Sequence, residues 1–393
     1  MRKISADYIF PIASEPIRNG VVTISDNGTI ISVEGPAGQS SEHYEGIICP
    51  GFINTHCHLE LSHLRAQISE NKGMTGFITE LIGKRTVFTE DVIQQAIADA
   101  EAEMIRNGIV AVGDISNNNS TFSQKAKGNL RYHTFLEIFS MDPGKAVDTF
   151  NKGLSLEKEL QALNAKLPHS IIPHAPYTMS EPLLELINQH AAVKQNILSI
   201  HNQESEGESE LFISNDGVMF DAFRAMGIPV SFMRKTGVNS LQSTLPLLNK
   251  ASKILLVHNT FTSKEDLQFI KSHLSNLTPQ IYFCTCPNAN KYIENRLPNY
   301  DIFIAENARV TIGTDSLASN WSLSVLDELK TITAFYPHLS LQTLLSWATK
   351  NGADFLNFDH LGTIEKGKKP GLNLLKNVDD LKITNATEVL KLA

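Results

Sequence analysis

His56 and His58, one residue apart, close the run Pro50-Gly51-Phe52-Ile53-Asn54-Thr55-His56-Cys57-His58. Side chains alternate along a strand, so this spacing puts both imidazoles on one face. The apolar Ile47-Ile48-Cys49, then Pro-Gly, indicates that a buried strand carries the pair. Two imidazoles converging at a strand end are how a barrel begins a divalent-metal site. Four later segments repeat the pattern, each with a ligand-type residue directly after an apolar run. They are Ile171-Ile172-Pro173-His174, Ile197-Leu198-Ser199-Ile200-His201, Ile254-Leu255-Leu256-Val257-His258 and Val310-Thr311-Ile312-Gly313-Thr314-Asp315. Any one of these histidines alone reads more readily as a core or loop residue. Five histidines and one aspartate at strand ends in one order make coincidence the weaker account.

The elements that must hold these residues can be read as alternating units. Buried parallel strands appear as continuous β-branched runs, and a parallel barrel gathers its chemistry at their C-terminal ends. Thr89 can cap a helix reaching about Asn107, with Gly108 as terminator and Ile109-Val110-Ala111-Val112 as the next strand. Arg131–Phe139 reads as the third strand. Ser180 and Ser263 are placed to cap later helices. Such βα repeats imply a right-handed parallel sheet, closed into a TIM-type (β/α)8 barrel over residues 49–361. The first 48 residues differ. Asn19-Gly20 and Asp26-Asn27-Gly28 flank short β runs, with the positive φ of a tight turn supplied by glycine. The tail from Gly362 again reads as short strands.

Composition narrows the function. The chain of 393 residues exceeds the roughly 250 of a typical barrel, leaving room for a small second domain. A net charge of -8 argues against nucleic acid as an electrostatic partner, while leaving nucleosides as substrates. No apolar run approaches the ~20 residues needed to span a bilayer, and Met1-Arg2-Lys3 leads into no signal-like core. The four cysteines, Cys49, Cys57, Cys284 and Cys286, fall in expected buried strands, as reduced cytoplasmic thiols do. Cys284-Thr285-Cys286 lacks a second cysteine pair, so core packing is preferred to a metal site. A cytoplasmic enzyme is expected, with a homodimer as its assembly.

Together, His56-x-His58, His201, His258 and Asp315 resemble the amidohydrolase superfamily, in its cytosine/guanine/adenosine-type deaminase branch. Pro50-Gly51-Phe52-Ile53-Asn54, His174-Ala175-Pro176-Tyr177, His201-Asn202-Gln203-Glu204, Cys286-Pro287-Asn288-Ala289-Asn290 and Gly313 to Asn320 carry further matches. Ala289 departs from the serine usual there. The resemblance implies that residues 1–48 and 362–393 join in a small β-sandwich beside the barrel. It also implies a metal held by His56, His58, His201 and Asp315. Three histidines and one carboxylate suit Zn²⁺ or Fe²⁺ rather than Mg²⁺ or Ca²⁺. Two-metal relatives usually carry a modified lysine at the fourth strand end. Pro173-His174-Ala175-Pro176 has none, so one ion is expected.

The implied catalysis is deamination of a ring amidine with release of ammonia. Asp315 would accept the attacking water's proton, His258 would orient the hydroxide or polarise the attacked carbon, and Glu204 would protonate the ring nitrogen beside that carbon. His174, Ser319 and Asn320 are candidate substrate contacts. The variant His58-Leu59-Glu60-Leu61-Ser62-His63-Leu64 resembles the subgroup acting on 6-aminodeoxyfutalosine, an adenine nucleoside bearing a benzoate in menaquinone biosynthesis. On that reading Glu60 binds the ribose hydroxyls, and Arg65 or Arg234 pairs with the benzoate. Relatives of the same branch act instead on S-adenosylhomocysteine, methylthioadenosine or guanine, or displace amines or chloride from triazines. A metal-free scaffold would require missing ligands, and none is missing.

Overall fold

A computed structural model of the chain describes residues 1–36, 41–164, 166–274 and 279–393. Five strands open it: β1 (Arg2–Ile9), β2 (Ile17–Arg18), β3 (Val21–Ile24), β4 (Ile30–Glu34) and β5 (Glu42–Pro50). Eight parallel strands follow: β6 (Phe52–Cys57), β7 (Ile109–Ser116), β8 (Arg131–Ile138), β9 (His169–Pro173), β10 (Ile197–Asn202), β11 (Lys253–His258), β12 (Gln280–Thr285) and β13 (Arg309–Ile312). They pair in chain order within two runs, β6 to β9 and β10 to β13. The runs join into a closed barrel through backbone bonds at the strand ends. His201 N–H donates to the His174 carbonyl (2.9 Å), while Thr314 and Asp315 N–H both donate to the His56 carbonyl (3.1 and 3.0 Å). The hydrogen bonds that close the barrel therefore fall on the candidate site residues themselves.

Helices pack outside. The first two are α1 (Gly73–Lys84) and α2 (Glu90–Arg106). Behind N-cap Thr89, α2 carries Glu90 and Asp91 in its first turn and Arg106 in its last, matching the helix dipole. It buries Ile97, Ala100, Glu101 and Met104, one helical stripe. Next come α3 (Phe122–Ala126), α4 (Ala146–Leu163), α5 (Glu181–Lys194), α6 (Glu206–Ser214) and α7 (Val218–Ala225). Ser180 precedes α5 as expected, but its hydroxyl makes no capping bond. Ser263 does cap. Its Oγ accepts from Asp266 N–H (3.1 Å) while the Asp266 carboxylate accepts from Ser263 N–H (3.0 Å), a reciprocal box.

The terminal segments meet in one hydrogen-bonded sheet of seven strands, where the sequence suggests a sandwich. With β14 (Leu372–Lys376) and β15 (Glu388–Lys391), its order is β15-β14-β5-β1-β3-β4, and β2 pairs with β1. Ile4, Ile9, Val22, Ile30, Ile48 and Leu374 form its own apolar core. The chain crosses from this sheet into the barrel at Gly51. A Cβ there would lie 2.3 Å from Val110 Cγ1 and 2.9 Å from the Pro370 carbonyl, so only glycine fits the close approach. Among the described residues no helix is long and apolar enough to cross a membrane.

Candidate active site

At the C-terminal mouth of the barrel, His56, His58, His201, His258 and Asp315 converge. His58 Nε2 lies 3.2 Å from His56 Nε2 and 3.4 Å from His201 Nε2, and Asp315 Oδ1 lies 3.6 and 3.5 Å from His56 and His58 Nε2. The ligand atoms of His56, His58 and Asp315 form one compact group, and those of His56, His201 and His258 another. The strands make this convergence possible because Gly313 leaves room for it. A Cβ at Gly313 would lie 2.8 Å from His56 Cβ and 2.7 Å from Cys284 Sγ. His258 and Asp315 adopt left-handed backbone, with φ of 73° and 57°. Such residues cost of order 1–3 kcal/mol each, and they concentrate where function over-determines the backbone.

Electrostatics decide what this cluster can hold. Burial pushes the His58 ring down to about 3 and His258 down to about 4, and drives His201 well below its ordinary range. These rings are neutral at pH 7. His201 donates Nδ1–H to the His174 carbonyl (2.7 Å), and His258 donates Nδ1–H to Asn290 Oδ1 (2.9 Å). Both therefore present bare Nε2 lone pairs inward. For Asp315, burial works against ionisation, but His56, His58 and His258 outweigh it and keep the carboxyl below the usual range. Bare nitrogens and a carboxylate packed this closely repel one another unless a cation joins them. The donor set fits a divalent metal ion of the kind that imidazole favours.

Glu204 faces the cluster without belonging to it. Its Oε1 lies 3.4 Å from His258 Nε2. Burial, then the charges of Asp315 and Glu208, push its carboxyl well above the ordinary range, which favours the protonated form. Glu208 fixes its backbone by accepting from Gln203 N–H (3.0 Å) and Glu204 N–H (3.1 Å). Glu208 is itself fully buried. Asn290, within a recognised motif, was given no role, although it orients His258.

The other expected contacts divide. His174 lines the cavity above the cluster, its Nδ1 bonded to Thr178 Oγ1 (3.0 Å). Ser319 and Asn320 do not reach the cavity. Ser319 Oγ donates to Asp315 Oδ2 (2.6 Å), and Asn320 Nδ2 to the Thr314 carbonyl and Glu328 Oε1 (both 2.7 Å). They support Asp315 from behind instead of touching a substrate. Glu60 is likewise set back. It accepts from Asn117 N–H (3.0 Å), while burial, then Asp114, push its carboxyl up to about 8. Asn117 in turn donates to Glu137 Oε2 (2.8 Å), and it is Glu137 that reaches the cavity wall. Below Glu60, the fully buried pair Lys125–Asp114 (2.6 Å) holds Leu59 N–H through Asp114 Oδ1 (2.8 Å), fixing the turn after His58.

Neither arginine expected at the substrate is there. Arg65 pairs with Glu103 and donates to the Trp321 carbonyl (3.2 Å) on the outer surface. Arg234 pairs with Glu181 (2.7 Å) and lies over the Phe212 ring. Each is drawn to a carboxylate on a helix outside the barrel, so neither lines the cavity. All four cysteines are buried and free.

The cavity above the cluster holds about 450 Å³. Polar groups (His58, His174, His201, Glu204, His258 and Asp315) form its floor. Its walls rise along Leu61, Phe77, Leu81, Phe139, Tyr177 and Phe223.

Residues 47–391 match the model of the Amidohydrolase family. The chain is 29% identical over 337 residues to adenosine deaminase of Helicobacter pylori, covering 84% of this chain and 78% of that protein. It is 26% identical over 353 residues to aminodeoxyfutalosine deaminase of Nitratiruptor sp., covering 86% and 83%. In fold it is similar to H. pylori aminofutalosine deaminase in complex with methylthio-coformycin, with a TM-score of 0.84, 23% identity and complete coverage of both chains. With a barrel whose strand ends carry this cluster, and a family match across nearly its whole length, the chain belongs to the amidohydrolase family and is a hydrolase acting on C–N bonds.

Proposed function

We propose that this enzyme deaminates the adenine ring of a nucleoside, and that its substrate is 6-aminodeoxyfutalosine of menaquinone biosynthesis. The observation that carries deamination is the buried Glu204 carboxyl facing the histidine cluster, 3.4 Å from His258 Nε2 and held well above the ordinary carboxylate range. His56, His58, His201 and Asp315 would hold one Zn²⁺ or Fe²⁺. A bound ion of this kind lowers the pKa of a water from ~15.7 to about 7 and so supplies a nucleophile at neutral pH. Asp315 then accepts a proton from the attacking water, and His258 Nε2 orients the attacking oxygen toward C6. Glu204 gives its proton to N1. As the C6–N bond breaks, the amine takes the proton held by Asp315 and leaves as ammonia, the new C6 hydroxyl returns a proton to Glu204, and a hypoxanthine ring protonated at N1 remains. His174 hydrogen-bonds the base.

One ion is favoured over two by the His201 tautomer. Glu137, His174 and His201 make a third compact group. Yet His201 spends its Nδ1 proton on the His174 carbonyl, so its single lone pair is committed to the first cluster.

The substrate is argued from the cavity and the relatives. The cavity combines the polar cluster with an apolar lining, which suits a nucleoside with an aromatic extension. The Nitratiruptor relative is named as an aminodeoxyfutalosine deaminase, whereas the H. pylori relative is named as an adenosine deaminase. Ammonia release from adenosine, methylthioadenosine, S-adenosylhomocysteine, guanine and 6-aminodeoxyfutalosine tests the reading. The highest kcat/KM is expected for 6-aminodeoxyfutalosine. Faster turnover of guanine would move the enzyme to another branch, and no ammonia from any adenine nucleoside would end the proposal.

A further inference from the structure

The outer part of the cavity carries charge that the chemistry above does not use. Arg85, directly after α1, and Lys145, in the turn Pro143–Lys145, line the same cavity as the apolar wall. A partly buried guanidinium normally ends on a carboxylate or a carbonyl, because its five donors form strong, directional bonds there. Arg65 and Arg234 both do so. Arg85 does not: among the described residues its side chain has neither an ion pair nor a hydrogen bond. Its charge nevertheless acts inward, since it works against the rise of the Glu60 and Glu137 carboxyls and adds to the depression of His174. The guanidinium therefore lines the cavity and, among the described residues, is tied to nothing.

The carboxylates that share the lining are otherwise engaged. Asp142 Oδ1 accepts from Gly144 N–H (2.9 Å) and closes its own turn, and Glu137 Oε2 accepts from Asn117. Two cations from separate loops, set in an apolar wall, suit a ligand that is aromatic along its length and anionic at its end.

We infer that Arg85, assisted by Lys145, determines specificity by pairing with a carboxylate on the non-reacting end of the substrate. This rests on the deaminase reading and adds which residues read the end remote from C6. Arg85 provides two parallel N–H donors for a bidentate contact, and Lys145 provides an exposed point charge nearby.

The test compares wild type, Arg85→Gln, Arg85→Lys and Lys145→Ala on two adenine nucleosides. One, 5′-methylthioadenosine, is neutral; the other, 6-aminodeoxyfutalosine, bears a benzoate. Wild type should favour the acid by about 10- to 100-fold in kcat/KM, the range of a charge-assisted bond. Arg85→Gln should bring that ratio close to one, mainly by raising KM for the acid. Arg85→Lys should restore part of it, and Lys145→Ala should lower it by a few-fold. A wild-type ratio near one overturns the inference. So does an equal loss on both substrates in Arg85→Gln, which would mean that Arg85 acts through Glu60 and Glu137. Both of those results leave the deaminase reading standing. If wild type releases ammonia from neither nucleoside, that reading fails as well.

Discussion

The floor and the walls of the one cavity are built on opposite principles. On the floor the reactive groups are held by hydrogen bonds from behind. His201 is held by the His174 carbonyl, His258 by Asn290, Asp315 by Ser319, and the Glu204 backbone by Glu208. These groups stand on strand ends, and two of them keep a strained backbone. The walls come from α1, α7 and the loops after β8 and β9, and consist mainly of apolar side chains with a free guanidinium. Chemistry needs positions fixed to a fraction of an ångström, which rigid strands provide. Substrate choice needs only shape and a few charges, which helices and loops can change without disturbing the floor.

Breaking the floor should cost most. Removing the metal with a chelator is expected to abolish ammonia release, and Zn²⁺ or Fe²⁺ should restore it; elemental analysis should find about one ion per chain. Two tightly bound ions in the active enzyme would contradict the single-ion reading. A smaller loss follows from loosening one anchor. Asn290→Ala leaves His258 in place without its orienting acceptor, and should reduce kcat by about 10- to 100-fold with metal retained. An unchanged kcat would mean that His258 needs no such support.

The walls should respond through KM. Phe223→Ala removes part of one apolar face, and an apolar truncation of this kind is worth about 1–3 kcal/mol in a pocket. KM for 6-aminodeoxyfutalosine should rise about tenfold with kcat changed less than twofold, as measured by steady-state kinetics. A fall in kcat of equal size would show that floor and walls are not separable.

The same division explains what could be read in advance. The floor was legible because each of its residues follows a buried apolar strand, so that local patterning fixes its position. The barrel, the order of its strands and the convergence of His56, His58, His201, His258 and Asp315 followed from that. Residues whose position depends on distant packing were not legible. Arg65 and Arg234 were as eligible as Arg85 by type, and only the carboxylates of Glu103 and Glu181 on outside helices decide which arginine stays free. Ser319 and Asn320 lie in the right motif but turn inward, toward Asp315 and Glu328. Glu208 stands between Glu206 and Glu210, both exposed, and nothing local distinguishes it; the turn after β10 buries it.

The separation of the acid from the metal cluster is tested most directly by Glu204→Gln, with metal content and ammonia release measured on the same preparation. Glutamine keeps the shape and removes the proton, so the variant should retain one metal equivalent and lose about 10²- to 10⁴-fold in kcat. In wild type, kcat should fall as pH rises through the elevated Glu204 pKa, because the reactive form is the protonated one, and this limb should vanish in the variant. Near wild-type turnover in Glu204→Gln with metal bound would contradict the account.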